Sequence, residues 1–297
     1  MDIASVEFFS SRSIEAFTNH PHVLDGSLGR ALAYLGLSLV IGLRLWMGIL
    51  RNAGPANLHV YQWTGLVAGF TGAFLVIHAS LAEAVDPFSS SFSMQETAIT
   101  FADYRQMLLH TDYGIAWLVY LGLLIVGIMQ IRRAWPSWIA AIGAALALAA
   151  CGHSGEYGLD APLYWLGAIH LALALAWLGG LCVLVTGRLG STWRIEYEAL
   201  QAFSGVALPL FLLIVLLGLI RLGLQYGYEE GLGPLYVSIL VLKLIAVTGV
   251  VVSAARLRKL LRHGGKEQAY DNKLGMEIFF AGLLILATAL LTQLPPK

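Results

Sequence analysis

Eight apolar stretches, separated by short polar connections, run through the chain. A transmembrane helix needs about 20 largely apolar residues, and each stretch is close to that length. Hydrophobic residues make up 58% of the chain and charged residues 12%, which leaves too little polar surface for a soluble globule. The sequence therefore predicts an all-α polytopic membrane protein, a bundle of about eight transmembrane helices in a lipid bilayer, with spans at 28–50, 60–83, 112–131, 136–152, 162–186, 203–226, 234–257 and 274–294.

These spans divide the chain into three parts. Residues 1–27 carry scattered acidic side chains and no continuous apolar core, which predicts an outer N-terminal segment and not a signal peptide. Residues 28–149 hold helices one to four, with a long outer connection at 84–111 whose second part is expected to form a short interfacial helix. Residues 150–297 hold helices five to eight.

Basic residues predict the orientation, because Lys and Arg in short connections stay on the cytoplasmic side. Twelve of the 18 Lys and Arg residues belong to the connections after the first, third, fifth and seventh spans, whereas acidic residues collect on the opposite side. Both termini are therefore expected to face out. This is the N-out/C-out topology of a multi-pass protein in the bacterial inner membrane, with its outer side in the periplasm.

Several function classes lack any supporting motif. The chain has no basic patch with interleaved aromatic residues and no phosphate-binding loop, so we expect neither nucleic acid nor nucleotide as a partner. It has no serine-based catalytic signature, and we do not expect an enzyme. Cys151 and Cys182 both lie in apolar runs and predict no disulfide framework.

Histidines concentrate on the predicted outer side. Imidazole is a common ligand of transition metals, and a polar ring inside a bilayer is rarely without a partner. His170 lies about eight residues, or roughly 12 Å, below the outer end of its span. His78 lies about five residues below the outer end of the second span, at a similar depth. The six histidines on this side are His20, His22, His78, His110, His153 and His170.

A copper site is the resulting hypothesis, with the metal as Cu(I) or Cu(II). Imidazole suits both oxidation states and a soft thiolate suits Cu(I). An exposed His-x-His segment before the first span, formed by His20 and His22, is a candidate site of outer metal capture. The alternative for each buried histidine is a hydrogen bond to a nearby carbonyl, and for the cysteine a small buried hydrophobe. The predicted ligands are His78, His153 and His170, with His110 or Cys151 as a further one.

Polar side chains inside the spans are functional candidates as well. Lys243 lies deep in the seventh span and Glu277 lies near the inner end of the eighth, and charges within a membrane usually have a role. His170 and Trp177 share one face of the fifth span, so the indole is expected to pack beneath the imidazole and shield it. A stripe of small residues on another face predicts close helix packing, through Ala168, Ala172, Ala176 and Gly180.

The order and spacing of several short segments in residues 150–296 carry a family resemblance. They are Gly152-His153-Ser154, His170-Leu171, Trp177-Leu178-Gly179-Gly180-Leu181, Ala202-Phe203-Ser204, Leu217-Gly218-Leu219, Leu242-Lys243-Leu244 and Glu277. In these segments the chain resembles the CopD family of bacterial copper-resistance and copper-uptake membrane proteins. The resemblance implies copper passage from the periplasm toward the cytoplasm, and a CopC-like periplasmic copper-binding protein as a partner. It includes His153 and His170 directly, whereas His78 rests on topology alone.

The leading interpretation is a copper-binding inner-membrane protein that takes copper from the periplasmic side and moves or delivers it across the membrane, in copper import, homeostasis and resistance. Two alternatives stay open. A b-type haem or quinone-linked redox protein would use His78 and His170 as axial ligands, although a second matched pair is missing. A non-transporting copper chaperone or oxidase assembly factor would bind the metal without carrying it across.

Overall fold

The computed structural model describes residues 22–49, 58–85, 99–189, 197–228, 233–262 and 267–293, and no strand occurs in these ranges. Helices form nearly all of them, because a chain surrounded by lipid must satisfy its backbone polar groups internally. In chain order the helices are α1 (Val23–Ile49), α2 (Leu58–Val85), α3 (Phe101–His110), α4 (Asp112–Met129), α5 (Ala134–Ala150), α6 (His153–Glu156), α7 (Pro162–Leu189), α8 (Tyr197–Tyr228), α9 (Pro234–Arg262) and α10 (Glu267–Leu291).

Six of the described helices are long and apolar enough to cross a membrane, namely α1, α2, α4, α7, α8 and α9. Two shorter apolar helical segments, Ala134–Ala150 and Gly275–Leu291, coincide with the predicted fourth and eighth spans. The prediction of an all-α, multi-pass membrane protein is therefore confirmed in the described ranges.

Proline and threonine mark the starts of several helices. Pro162 and Pro234 are the first residues of α7 and α9, where the missing backbone N–H removes no helical hydrogen bond. Thr111 separates α3 from α4, and its Oγ1 accepts a hydrogen bond from the Gly114 amide at 3.0 Å. The short helix expected within 84–111 is α3, while residues 86–98 of that connection lie outside the described ranges.

Helix α1 lies at the centre of the bundle and packs against α2 and α7. These crossings depend on glycines that let two backbones touch. A Cβ on Gly36 would lie 2.7 Å from the Gly69 amide nitrogen on α2, and a Cβ on Gly42 would collide with the Gly179 carbonyl on α7. The helices before and after residue 150 therefore pack into one bundle.

The small-residue stripe predicted on the fifth span marks part of this crossing. Gly180 belongs to the stripe, and its carbonyl accepts a hydrogen bond from the Trp46 indole at 2.8 Å. The closest backbone approach falls one residue earlier, at Gly179, which the stripe did not include. Trp46 also stacks on Phe203 of α8, with ring centroids 5.0 Å apart, so it joins three helices.

Two arginines lie inside the bundle, although each stands near an end of the predicted first span. Arg30 is buried in α1, where its guanidinium donates to the Cys151 carbonyl and lies 5.0 Å from the centroid of the Trp117 ring. Arg44 is also buried, and it donates to the Ile131 carbonyl at 3.0 Å. Carbonyls that end neighbouring helical segments thus solvate both cations.

Candidate functional site

Two adjoining cavities lie among α1, α7, α8, α9 and α10. One has a volume of about 150 Å³ and the other about 110 Å³, and they share His170, Lys243, Tyr34 and Gly218 in their walls. The larger is lined mainly by apolar side chains. The smaller carries most of the polar groups, so together they form one space with a polar end and an apolar end.

The polar end lies where several helices begin or finish on the same side of the bundle. His170 is eight residues into α7, Lys243 is nine residues into α9, and Arg221 is seven residues before the end of α8. At 1.5 Å per residue, each lies roughly 10 to 14 Å below its helix end. Gly152 and Ser154, in the turn between α5 and α7, close this end. This is the side that the charge pattern predicts to face out.

The His170 ring is fixed in one tautomer by α8. Its Nδ1 lies 3.0 Å from the Ile214 carbonyl oxygen, which can only accept, so Nδ1 carries the proton and donates. Nε2 therefore keeps its lone pair. Gly218, one turn further along α8, leaves room for the ring, because a Cβ there would lie 3.0 Å from His170 Cε1.

The electrostatic surroundings of His170 are cationic. Lys243 and Arg221 are its charged neighbours, and they also act on each other. Both side chains are half-buried. No Asp or Glu lines either cavity among the residues that the structure describes.

His153 belongs to the same end of the bundle. It is the first residue of α6, and the residues on either side of it, Gly152 and Ser154, both line the polar cavity together with His170. Its side chain lies outside the described part of the chain. The structure thus brings its backbone to the cavity that His170 faces.

His78 is engaged elsewhere. Its Nδ1 lies 2.5 Å from the Tyr104 hydroxyl of α3, and its ring lies nearly parallel to that of Phe74, one turn earlier on α2, with centroids 6.0 Å apart. Neither cavity beside His170 includes His78 in its lining. The similar depth of His78 and His170 does not place them in one cavity.

The other predicted ligands that the structure describes do not line the cavity. His110 is exposed at the end of α3, and His22 is half-buried immediately before α1, while His20 lies outside the described ranges. The Cys151 thiol is buried and donates to the Ala147 carbonyl of its own helix at 3.2 Å. Within the described residues, no group of three or more His, Cys, Asp or Glu side chains is placed to hold a metal ion.

Trp177 and Glu277 occupy different environments. Trp177 lines the apolar cavity two turns beyond His170, and its ring centroid lies 5.0 Å from that of Phe211. Glu277 is buried on α10 and lines neither cavity.

Sequence reasoning did not assign Arg221 and Tyr34 to the site. Arg221 lies near a span end, from which an arginine commonly extends to the lipid headgroups, so its position suggested no site. Tyr34 lies in the first span between two apolar residues, Ala33 and Leu35, and a single tyrosine there suggested no site. The available signal was the spacing of Gly218 and Arg221, which places a small residue and a cation on one face of α8.

The fold and this cavity define the class: an all-α, multi-pass membrane protein with a cavity inside the bundle that has a cationic polar end and an apolar end. Comparison of the chain with protein-family models, curated proteins and solved structures gave no match. Its activity must therefore be inferred from its own residues.

Proposed function

We propose that the chain is a copper-handling protein of the bacterial inner membrane, similar to the CopD family, which takes copper from its outer face and moves or delivers it across the membrane. The observation that carries the proposal is the hydrogen bond from His170 Nδ1 to the Ile214 carbonyl. Metal-binding histidines almost always have such a second partner, which fixes the tautomer and leaves the other nitrogen free for the metal.

The proposed ligands are His170 and His153. Two lines support this pair: Gly152 and Ser154 flank His153 and line the cavity beside His170, and the family resemblance includes both histidines. His78, which the sequence added to the core of the site, is left out of the proposal because it lines neither of the cavities that His170 faces.

The cationic neighbours of His170 favour a transient copper site. Lys243 and Arg221 repel a metal cation, and like charges inside a bundle interact more strongly than in water. A site with these neighbours holds copper less tightly than one built with carboxylates, and a carrier must release its cargo. This supports passage or delivery over permanent storage.

The proposed topology has eight membrane-spanning helices, with the shorter apolar helices as spans four and eight and with both termini in the periplasm. It places the polar end of the cavity at the periplasmic side. Support comes from the charge pattern of the connections and from the shared level of His170, Lys243 and Arg221 below their helix ends. A CopC-like periplasmic protein would then deliver copper to this end.

A competitive Cu(I) titration of the purified full chain tests the copper site. We expect about one bound equivalent for the wild type and a loss of affinity of at least tenfold in His170→Ala and His153→Ala. His59→Ala is the matched control, because His59 is an exposed histidine on α2 that does not line the cavity. His78→Ala should bind like the wild type. No copper on the wild type, or unchanged binding in His170→Ala, would contradict the proposal.

A flux measurement separates passage from delivery. In proteoliposomes that contain only this chain, passage predicts copper entry that His170→Ala slows, whereas a chaperone binds copper and gives no entry. A visible spectrum of the same preparation tests the haem alternative, since a b-type cytochrome shows a Soret band.

A further inference from the structure

Two cations share the polar cavity, and no acidic side chain lines it among the residues that the structure describes. Arg221 on α8 and Lys243 on α9 line it from two sides, and the lining residues of both cavities include no carboxylate. Removing a charge from water costs several kcal/mol unless a counter-charge or hydrogen bonds compensate. Two cations together raise that cost, so the cavity is built for a negative charge that the side chains lining it do not supply.

The hydrogen-bonding groups around these cations suit an anion. Tyr34, buried on α1, and Ser154, buried at the start of α6, both line the polar cavity, and each has a side-chain hydroxyl group. Hydroxyl groups donate to an anionic oxygen, and an arginine guanidinium matches the geometry of carboxylate and phosphate groups. The polar end therefore has the donors of an oxyanion site.

The apolar cavity continues directly from this site, because His170 and Lys243 belong to both linings. Its walls include Trp177, Phe211 and Val247, and its volume of about 150 Å³ is of the size at which an apolar cavity stays dry and accepts an apolar molecule. Trp177 lies seven residues beyond His170, or roughly 10 Å along α7. A charged head at Lys243 would thus leave its tail beside Trp177.

We propose that the two cavities together bind one amphipathic anion, with a carboxylate or phosphate head between Arg221 and Lys243 and an alkyl tail among the apolar side chains around Trp177. A free inorganic or short-chain anion would use only the polar end, and a neutral lipid only the apolar end. The charge of the polar end and the apolar walls beside it suit a molecule that has both parts, such as a fatty acid with its head and the first part of its chain in the joined cavities.

This inference does not rest on the copper proposal. It uses the cations and the apolar walls, while copper binding uses the Nε2 of His170. If both hold, the bound anion offsets the repulsion that Arg221 and Lys243 exert on a copper ion at His170.

Quenching of tryptophan fluorescence by a stearate brominated at mid-chain tests the inference, because bromine quenches only an indole that it nearly touches. The full-length protein is placed in phosphatidylcholine nanodiscs, and the acid is compared with its neutral methyl ester. We expect a saturable component of quenching by the acid, at least tenfold weaker binding of the ester, and a loss of most of that saturable component in Trp177→Phe, while quenching of lipid-exposed tryptophans by acid in the bilayer rises without saturation. Acetate should not compete.

Charge variants complete the test. Lys243→Gln and Arg221→Gln should weaken binding of the brominated acid at least tenfold, while Lys243→Arg, which keeps the charge, should stay within about threefold of the wild type. Two results on the wild-type protein would by themselves overturn the proposal. One is equal binding of acid and ester, and the other is competition by acetate at the same concentration as the acid. A copper titration that fails leaves these results unchanged, so the two proposals fail separately.

Discussion

The crossing of α1 and α7 predicts that a single methyl group at Gly42 destabilises the protein. A Cβ on Gly42 would meet the Gly179 carbonyl group, and its three nearest atoms all belong to the Gly179 backbone. Backbone atoms cannot rotate away as a side chain can, so the two helices must separate. Overpacking of this kind costs about 1 to 3 kcal/mol, and the better helix propensity of alanine returns at most about 1 kcal/mol.

The matched control is Gly122→Ala. Gly122 lies in the middle of α4, and a Cβ there would have no atom within 4 Å. Only the higher helix propensity of alanine then acts, so the free energy of unfolding of this variant should equal that of the wild type or exceed it by up to about 1 kcal/mol.

Reversible unfolding in mixed micelles, followed by circular dichroism, gives the free energy of unfolding of each variant. We expect Gly42→Ala to be less stable than Gly122→Ala by about 1 to 3 kcal/mol. Gly42→Ala should also weaken ligand binding at the cavity, because α1 brings Tyr34 to its wall. If the two variants have the same stability, within about 0.5 kcal/mol, the close backbone contact does not hold these helices together and the reasoning is refuted.

Two further predictions follow from single contacts. Trp46→Phe keeps an aromatic ring but removes the 2.8 Å hydrogen bond to the Gly180 carbonyl and leaves part of the buried indole volume empty, so the free energy of unfolding should fall by at least about 0.5 to 1.5 kcal/mol in the same assay. Asp103 accepts hydrogen bonds from the Thr100 hydroxyl and amide, each at 2.7 Å, and these lower the pKa of its carboxyl below the usual value. The stabilisation it gives is therefore fully present above the unfolded-state pKa of about 4 and is lost as the pH falls through the lower folded-state pKa. The difference in melting temperature between wild type and Asp103→Asn should persist at neutral pH and shrink on acidification below about pH 4.

The membrane-crossing helices could be predicted because their signal is local. An apolar run near 20 residues long has few alternatives to a helix in lipid, and the prolines at 162 and 234 mark where two of these helices begin. The small-residue stripe also predicted the face of α7 that approaches α1, although it named Gly180 and missed Gly179. The stripe missed the closest contact by one residue. Adjacent residues of a helix lie about 100° apart around its axis, so a contact face of that width can include a residue next to the stripe.

Buried charge was harder to place from the sequence. Arg30 and Arg44 stand near the ends of α1, and an arginine at such a position usually reaches the water with its side chain. The structure instead turns both into the bundle, where the carbonyls of Cys151 and Ile131 accept their hydrogen bonds. Those acceptors come from the ends of other helical segments, so no window of sequence around either arginine contains the signal.

The candidate site was also hard to predict from the sequence. The depth of a side chain in the bundle and the direction in which it points are independent, and the sequence indicates only the depth. Counting residues at 1.5 Å each gives the depth of a side chain, and on that measure His78 and His170 looked like partners. Direction depends on how each helix is rotated, which neighbouring helices decide. The rotation of α2 pairs His78 with Tyr104, whereas that of α7 turns His170 to the wall that Lys243 and Arg221 also line. Lys243, which lies deep in its helix, and Arg221, which lies nearer a helix end, therefore line the same cavity. The positive charge of the cavity comes from these two side chains more than from any histidine.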